Sequence, residues 1–322
     1  MSRDITLSKQ SRSTRKIIVG KAGLPCVIAL TIVFTLFISG CDQSIPTPQE
    51  DEPVQTPPIS DVDTEEQPDI VNEPEEEAEH ISLELNDRGI TNEILAEMVE
   101  SGEIPQNVTE LFLHYNQISD ITPLQSLSKL DKLWMYSNQI SDITSLQSLN
   151  SLHFLSLNYN EISDISPLRS MTDLRELSLW ENQIDDITAL QSMQYLNTLH
   201  LNYNNIVDIS PLQELLNLLR LGLVGNQIND ITYLESLTIL TLLDLRDNEI
   251  SDIEPLRSLT NLTYLDLSFN HISDLEPLMS LVRLEELFIG QNSIDGGYNY
   301  VEWTDEQISK LKEALPNCDI DY

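Results

Sequence analysis

The sequence predicts an α/β solenoid, a curved array of about nine 22-residue coils with short parallel strands on the concave face and a cap at each end. Two observations predict it. An asparagine returns every 22 residues, at Asn116, Asn138, Asn160, Asn182, Asn204, Asn226, Asn248, Asn270 and Asn292. Around each Asn the same apolar frame recurs, written out once as Leu130, Leu133, Met135, Asn138, Ile140, Ile143, Leu146 and Leu149, after which Leu152 opens the next coil. A unit this short cannot bury its own apolar side, so coils stack and share one continuous core.

This frame is the leucine-rich-repeat pattern, and the rest of the chain is built around it. Residues 1–40 begin with Arg3, Lys9, Arg12, Arg15, Lys16 and Lys21, followed by an uncharged apolar run from about Leu24 to Ile38. That is a signal-peptide profile, and the run is shorter than the roughly 20 residues a membrane span needs. It ends in Ile38-Ser39-Gly40-Cys41, which resembles the lipobox of bacterial lipoproteins. The resemblance implies that Cys41 is diacylated and becomes the first residue after cleavage, and that acyl chains hold the protein to a membrane of the bacterial envelope on its extracytoplasmic side.

Residues 41–79 follow as a tether. From Asp42 to Glu79 there are seven Pro, fourteen Asp or Glu, and no Lys or Arg, a composition that cannot bury enough apolar surface to order itself. Its reach lies between a coil estimate of about 35 Å and an extended limit near 125 Å.

The N-terminal cap spans 80–108. Leu83, Leu85 and Ile90 repeat the strand pattern 28 residues before Leu111, Leu113 and Ile118, and the segment from Thr91 to about Glu100 carries Ile94, Leu95, Met98 and Val99 at helical spacing. Repeats occupy 109–294. In Leu133-x-Met135 the apolar residues lie two apart, on one face of a short strand, while Trp134 and Tyr136 point the other way. The Asn column supplies an acceptor and two donors for backbone groups left open where each strand turns. A second column, Asp120, Asp142, Asp164, Asp186, Asp208, Asp230, Asp252 and Asp274, sits where a carboxylate caps a helical turn on the convex side. Carboxylates at a fixed pitch also admit calcium, but the oxygen-rich flanks of calcium loops are missing, so no metal is assigned. The C-terminal cap, 295–322, holds a capping box at Thr304 and Gln307, an apolar stripe of Ile308, Leu311, Ala314 and Leu315, a stop at Pro316, and a closing strand at Ile320.

Charge restricts the partners. The full chain has 17 Lys and Arg against 53 Asp and Glu; the leader takes six of the bases and Asp4, leaving 11 against 52 and a formal charge of −41. Nucleic acid and anionic lipid are poor partners for such a surface, whereas cationic proteins or peptides, or neutral glycans, fit it. Cys26 leaves with the leader and Cys41 is acylated, so Cys318 has no disulfide partner and is expected to pack in the cap.

With the frame residues in the core, the variable strand positions map the concave face. Its N-terminal half carries Phe112, Trp134, Tyr136, Phe154 and Trp180, followed by His200; Gly222 and Val224 form the middle, and Asp244, Asp266 and Glu286 the later part. Outward aromatics on a rigid sheet are typical of recognition surfaces, and these six residues, Phe112, Trp134, Tyr136, Phe154, Trp180 and His200, are the candidate ligand-binding set. The alternative is that the rings stack on one another to complete the sheet. Tyr115, Tyr159 and Tyr203 precede alternate Asn residues and mark a 44-residue period, read as a trace of duplication. No HExxH, CxxC, GxSxG or phosphate-loop pattern is present, and no nucleophile is paired with an oriented base, so neither an enzyme nor a cofactor is expected.

From about Ile81 to Leu287 the frame Leu-x-x-Leu-x-Leu-x-x-Asn-x-Ile-x-Asp-Ile-x-Pro-Leu, clearest from Leu152 through Leu168, resembles that of the internalin family of bacterial surface proteins. The resemblance implies a right-handed solenoid that binds protein through its concave face without a cofactor. Two function classes follow: a membrane-anchored receptor or adhesin that captures a protein or peptide, and an architectural envelope lipoprotein that scaffolds neighbours without a defined ligand.

Overall fold

The computed structural model describes residues 80–293 and 300–322, and the backbone alone of Thr14–Ile18. The remainder of the leader, Cys41 and the tether lie outside the described residues. The strands are β1 (Thr14–Ile18), β2 (His80–Glu84), β3 (Glu110–Phe112), β4 (Lys132–Trp134), β5 (Phe154–Ser156), β6 (Glu176–Ser178), β7 (Thr198–His200), β8 (Arg220–Gly222), β9 (Leu242–Asp244), β10 (Tyr264–Asp266), β11 (Glu286–Phe288) and β12 (Asp319–Asp321). They form a single parallel sheet in chain order. From β3 onward the central residue of each strand is a Leu or Ile, and these meet in register from Leu111↔Leu133 to Leu287↔Ile320. Each points into the core, which runs unbroken from Ile81 to Ile320.

Opposite the sheet, each coil crosses in a short 3-10 turn, the first at Thr122–Ser126 and the last at Glu276–Ser280. The Asp column starts these turns: Asp120 Oδ1 accepts the Thr122 N–H at 2.9 Å, and all eight Asp residues make the same bond to the residue two further on, ending with Asp274 and Glu276 at 2.9 Å. Hydrogen bonds from the side chain and the backbone N–H of the Thr two residues on favour the charged form, and the Asp120, Asp142, Asp186 and Asp230 carboxyls lie below their ordinary range because of them.

The Asn column ties coil to coil. Asn204 donates from Nδ2 to Leu179 O of the preceding coil and to Leu201 O of its own, both at 3.0 Å, while its Oδ1 accepts the Ile184 N–H at 3.0 Å. The same three-way bond recurs at Asn138, Asn160, Asn182, Asn226, Asn248, Asn270 and Asn292, and Asn116 makes its equivalent to the cap coil. One amide thereby satisfies three backbone groups that the end of a strand leaves open.

The residue before each Asn has positive φ, from Tyr115 at 55° to Gln291 at 56°. In this column only Gly225 is a glycine, so the conformation alone does not require one. A Cβ on Gly225 would come 2.5 Å from Cδ1 of Tyr203, so Gly225 makes room for that ring.

Both caps close the core. Helix α1 (Asn92–Glu100) buries Leu95 and Met98, whereas Ile94 of the expected stripe stays exposed. Helix α2 (Asp305–Ala314) opens with the Thr304–Gln307 capping box and buries Ile308 and Leu311. Beside it the Cys318 thiol is half-buried against the core, and burial pushes its pKa up to about 11.

Candidate functional site

Residues that flank the buried strand Leu alternate to the opposite side, so the columns beside it build the concave face. In one column Phe112 and Trp134 are register partners, and their rings stack at 4.0 Å with an interplanar angle of 6°. Phe154 stands two positions earlier on its strand, opposite Lys132, and leans back to put its ring 4.5 Å from Trp134. The neighbouring column holds His114 and Tyr136, stacked at 4.2 Å and 9°. Burial lowers the His114 pKa to about 4 against the pull of Glu84. Its ring is therefore neutral at ordinary pH, and its Nδ1 has no hydrogen-bond partner among the described residues.

A third file was not among the candidate residues. Tyr115, Tyr159 and Tyr203 occupy the positive-φ column, where the turn swings the side chain to the rim of the concave face. Tyr115 packs edge-on against Tyr136 at 5.1 Å, and Trp180 lies between Tyr159 at 5.7 Å and Tyr203 at 6.0 Å. Tyr115 and Tyr203 are 58% and 41% exposed, more open than any of the six candidates, all of which are half-buried. The 44-residue period read as duplication thus also places Tyr115 and Tyr203 open on the concave rim, with Tyr159 half-buried between them.

Two outward positions are structural. Asn158 Oδ1 accepts the Trp180 N–H at 2.8 Å and Asn202 Oδ1 accepts the Val224 N–H at 2.9 Å, each bridging to the next coil. His200 stands apart from the Phe112 and Trp134 stack, because Ser156 and Ser178 fill the intervening positions of its column. It leans over Gly222, where a Cβ would meet His200 Nδ1 at 2.9 Å and Asn202 Oδ1 at 2.7 Å. Burial holds its pKa near 4 and Arg220 adds to that effect, so it too is neutral.

Beyond Gly222 the chemistry changes. Asp244 and Asp266 are register partners on β9 and β10. Burial, reinforced by the neighbouring Asp266, raises the Asp244 pKa to about 7. Burial also raises that of Asp266, opposed by the Ser268 N–H that it accepts at 2.8 Å. Arg246 lies over the ring of Phe269, 4.8 Å from its centroid, its backbone N–H donates to Asp244 Oδ1 at 3.2 Å, and its charge opposes the rise of both carboxyls without cancelling it.

The family described as leucine rich repeats (2 copies) matches residues 106–148, 150–192, 240–278 and 260–296. The solved structure of internalin C2 from Listeria monocytogenes is 36% identical, and the match covers 62% of this chain and 92% of that one, with a TM-score of 0.55. The chain belongs to the internalin-like leucine-rich-repeat proteins. A second internalin from that organism, InlF, is 29% identical with a TM-score of 0.64, covering 74% of this internalin-like chain and 64% of its own, so less than two thirds of that relative is spanned. A leucine-rich-repeat protein from Leptospira interrogans shares the fold at a TM-score of 0.65 and 22% identity, covering 75% of this chain and 60% of its own. Among curated proteins no sequence matches.

Proposed function

We propose that this internalin-like protein captures a protein or peptide ligand on the concave face of its solenoid, and that acyl chains on Cys41 hold it at the surface of a bacterial cell envelope. The observation that carries the reading is the concentration of rings on one half of one face. Phe112, Trp134, Phe154, His114, Tyr136 and Trp180 stand there half-buried, with Tyr115 and Tyr203 open at the rim. Rigid aromatic side chains supply contact area at low entropic cost.

The stacking favours a polypeptide over a sugar. Ring faces at 4.0 Å and 4.2 Å are occupied by each other, which leaves edges and the Tyr rim for contact, whereas a sugar stacks on an open face. The later coils favour a cationic group on the ligand. Asp244 and Asp266 are adjacent and poorly solvated, and a guanidinium or ammonium placed between them relieves their mutual repulsion. Such a contact requires ionised Asp244, so affinity is expected to rise as pH rises through about 7.

The test is capture of a ligand from envelope and host extracts by the chain from Glu79 to Tyr322, compared with Trp134→Ala, Trp180→Ala and Arg169→Glu on the opposite side of the coil. Loss of the captured partner with either Trp variant supports the concave site. Retention by both Trp variants with loss on Arg169→Glu places binding on the convex side and favours a scaffolding role.

A further inference from the structure

The two flanks of the solenoid, on either side of the sheet, differ in charge. On the flank that follows each strand runs the Asp column, with Asp208, Asp230, Asp252 and Asp274 in four successive coils. On the flank that precedes each strand, the corresponding segments 194–198, 216–220, 238–242 and 260–264 contain no Asp or Glu, and Arg220 is their one basic residue. At about 4.8 Å per strand these four segments make a carboxylate-free strip roughly 14 Å from first to last strand, on a chain whose formal charge is −36.

This strip is also apolar. Tyr195, Leu216, Leu219 and Ile239 are 65%, 52%, 40% and 40% exposed. They lie on three successive coils tied side by side, since Leu219 N donates to Asn197 O, Thr241 N to Leu219 O, and Asn217 Nδ2 to Gln194 O. Isolated exposed apolar residues need no explanation, but four in contiguous coils form a patch. None of them belongs to the frame, and none faces the concave site.

We propose that this flank is where two copies of the chain associate, patch against patch about a twofold axis. The charge distribution selects the occupant. A second copy carries the same large negative charge, and most approaches bring carboxylates together within a Debye length of about 8 Å. Glu214 and Glu235 stand exposed at its edge, and the strip between them and the sheet lets two copies meet with the fewest opposing carboxylates. The surface is also self-complementary: Leu and Ile meet Leu and Ile, while the Asn and Thr side chains at its edge both donate and accept hydrogen bonds. An isologous pair is the commonest arrangement for such a patch. Four apolar side chains per copy are far fewer than the roughly 20–30 residues a side of a standard interface, so the pair is weak and reversible.

Sedimentation of the chain from Glu79 to Tyr322, which contains every member of the core, tests this at low and high salt. The expected result is a concentration-dependent dimer that strengthens with salt, because screening removes the net repulsion while the apolar contact remains. Leu216→Glu and Ile239→Glu should each weaken it by about tenfold or more without changing the melting temperature, since both sites are exposed. Val282→Glu, an exposed apolar site on the same flank but outside the strip, should have no effect. Asn217→Cys in a Cys318→Ser background should form a disulfide with its own copy. A monomer at every concentration and salt overturns the proposal. So does a dimer indifferent to Leu216→Glu and Ile239→Glu, or one that salt dissolves, which would assign the contact to opposite charges.

Discussion

The two halves of the concave face share a backbone and differ in what stands on it. From β3 to β6 the columns beside the buried Leu hold Phe112, Trp134, Tyr136, Phe154 and Trp180 without an acid pair; from β9 to β11 they hold Asp244, Asp266 and Glu286, with Tyr264 and Phe288 beside them, ring centroids 5.6 Å apart. The strands, positive-φ turns and Asn bonds are the same in both. The difference teaches that the frame determines position and the variable residues determine chemistry, so the two can be broken separately.

The largest expected effect is on the frame. Asn204→Ala strands the Ile184 N–H and removes one of the two amide donors to each of the Leu179 and Leu201 carbonyls, which keep Asn182 and Asn226, and an unpaired buried group costs about 1–3 kcal/mol. A thermal melt should show a clear loss of stability, while the exposed Gln227→Ala should show almost none. If the frame is common to both halves, Asn138→Ala among the rings and Asn248→Ala among the acids should cost about the same. A large inequality between these two would mean that the halves are not built alike.

Next in size is the effect on ligand capture. Trp134→Ala and Trp180→Ala are each expected to weaken binding by about 2 kcal/mol or more, read by titration calorimetry with the captured partner. Tyr203→Ala should also weaken binding, because its ring is the more exposed neighbour of Trp180. Full affinity in all three variants would remove the aromatic half from the site.

The halves should also answer pH with opposite signs. His114 and His200 have folded pKa values near 4, below the ordinary 6.5. Their contribution is present above 6.5 and is lost as pH falls toward 4. Asp244 is raised from 3.8 to about 7, so its contribution is present at low pH and is lost as pH rises through that window. Asp244→Asn should therefore be more stable than the parent at pH 8, with the gap closing toward pH 4, and His114→Phe should flatten the acid limb of the stability curve. Denaturant melts across pH test both, and a constant gap for Asp244→Asn would show that its carboxyl is not perturbed.

The smallest expected effect is that of metal. Each column Asp spends an oxygen on the N–H two residues on and stands exposed on the flank. Chelator should leave the melting temperature unchanged, and a rise of many degrees on adding calcium would give this column a second role.

Much of the array was legible in the residues themselves. A 22-residue period, a Leu at the centre of each strand, the Thr304–Gln307 box and Ile320 as the closing strand residue are all local patterns, and each appears where the periodicity put it. The six candidate residues lie on the concave side, and between open rings and rings stacked on one another the sequence leaves both readings standing. A period of two tells which side of a strand a residue takes but not whether its neighbour one coil away covers it, and Phe112 on Trp134 is such a cover. The Tyr115, Tyr159 and Tyr203 file was missed because the side-chain direction at a left-handed turn follows from φ, which no alternation rule contains.

By itself, then, the sequence determined the repeat, the core and the caps, because burying an apolar stripe and pairing backbone groups at each turn leave one way to stack such coils. Tertiary structure decided what the stack exposes. Residues 22 apart become neighbours only when the coils close on one another, so ring stacking, the Asp244 and Asp266 pair, the room at Gly222 and Gly225, and the carboxylate-free flank all arise between coils rather than within one.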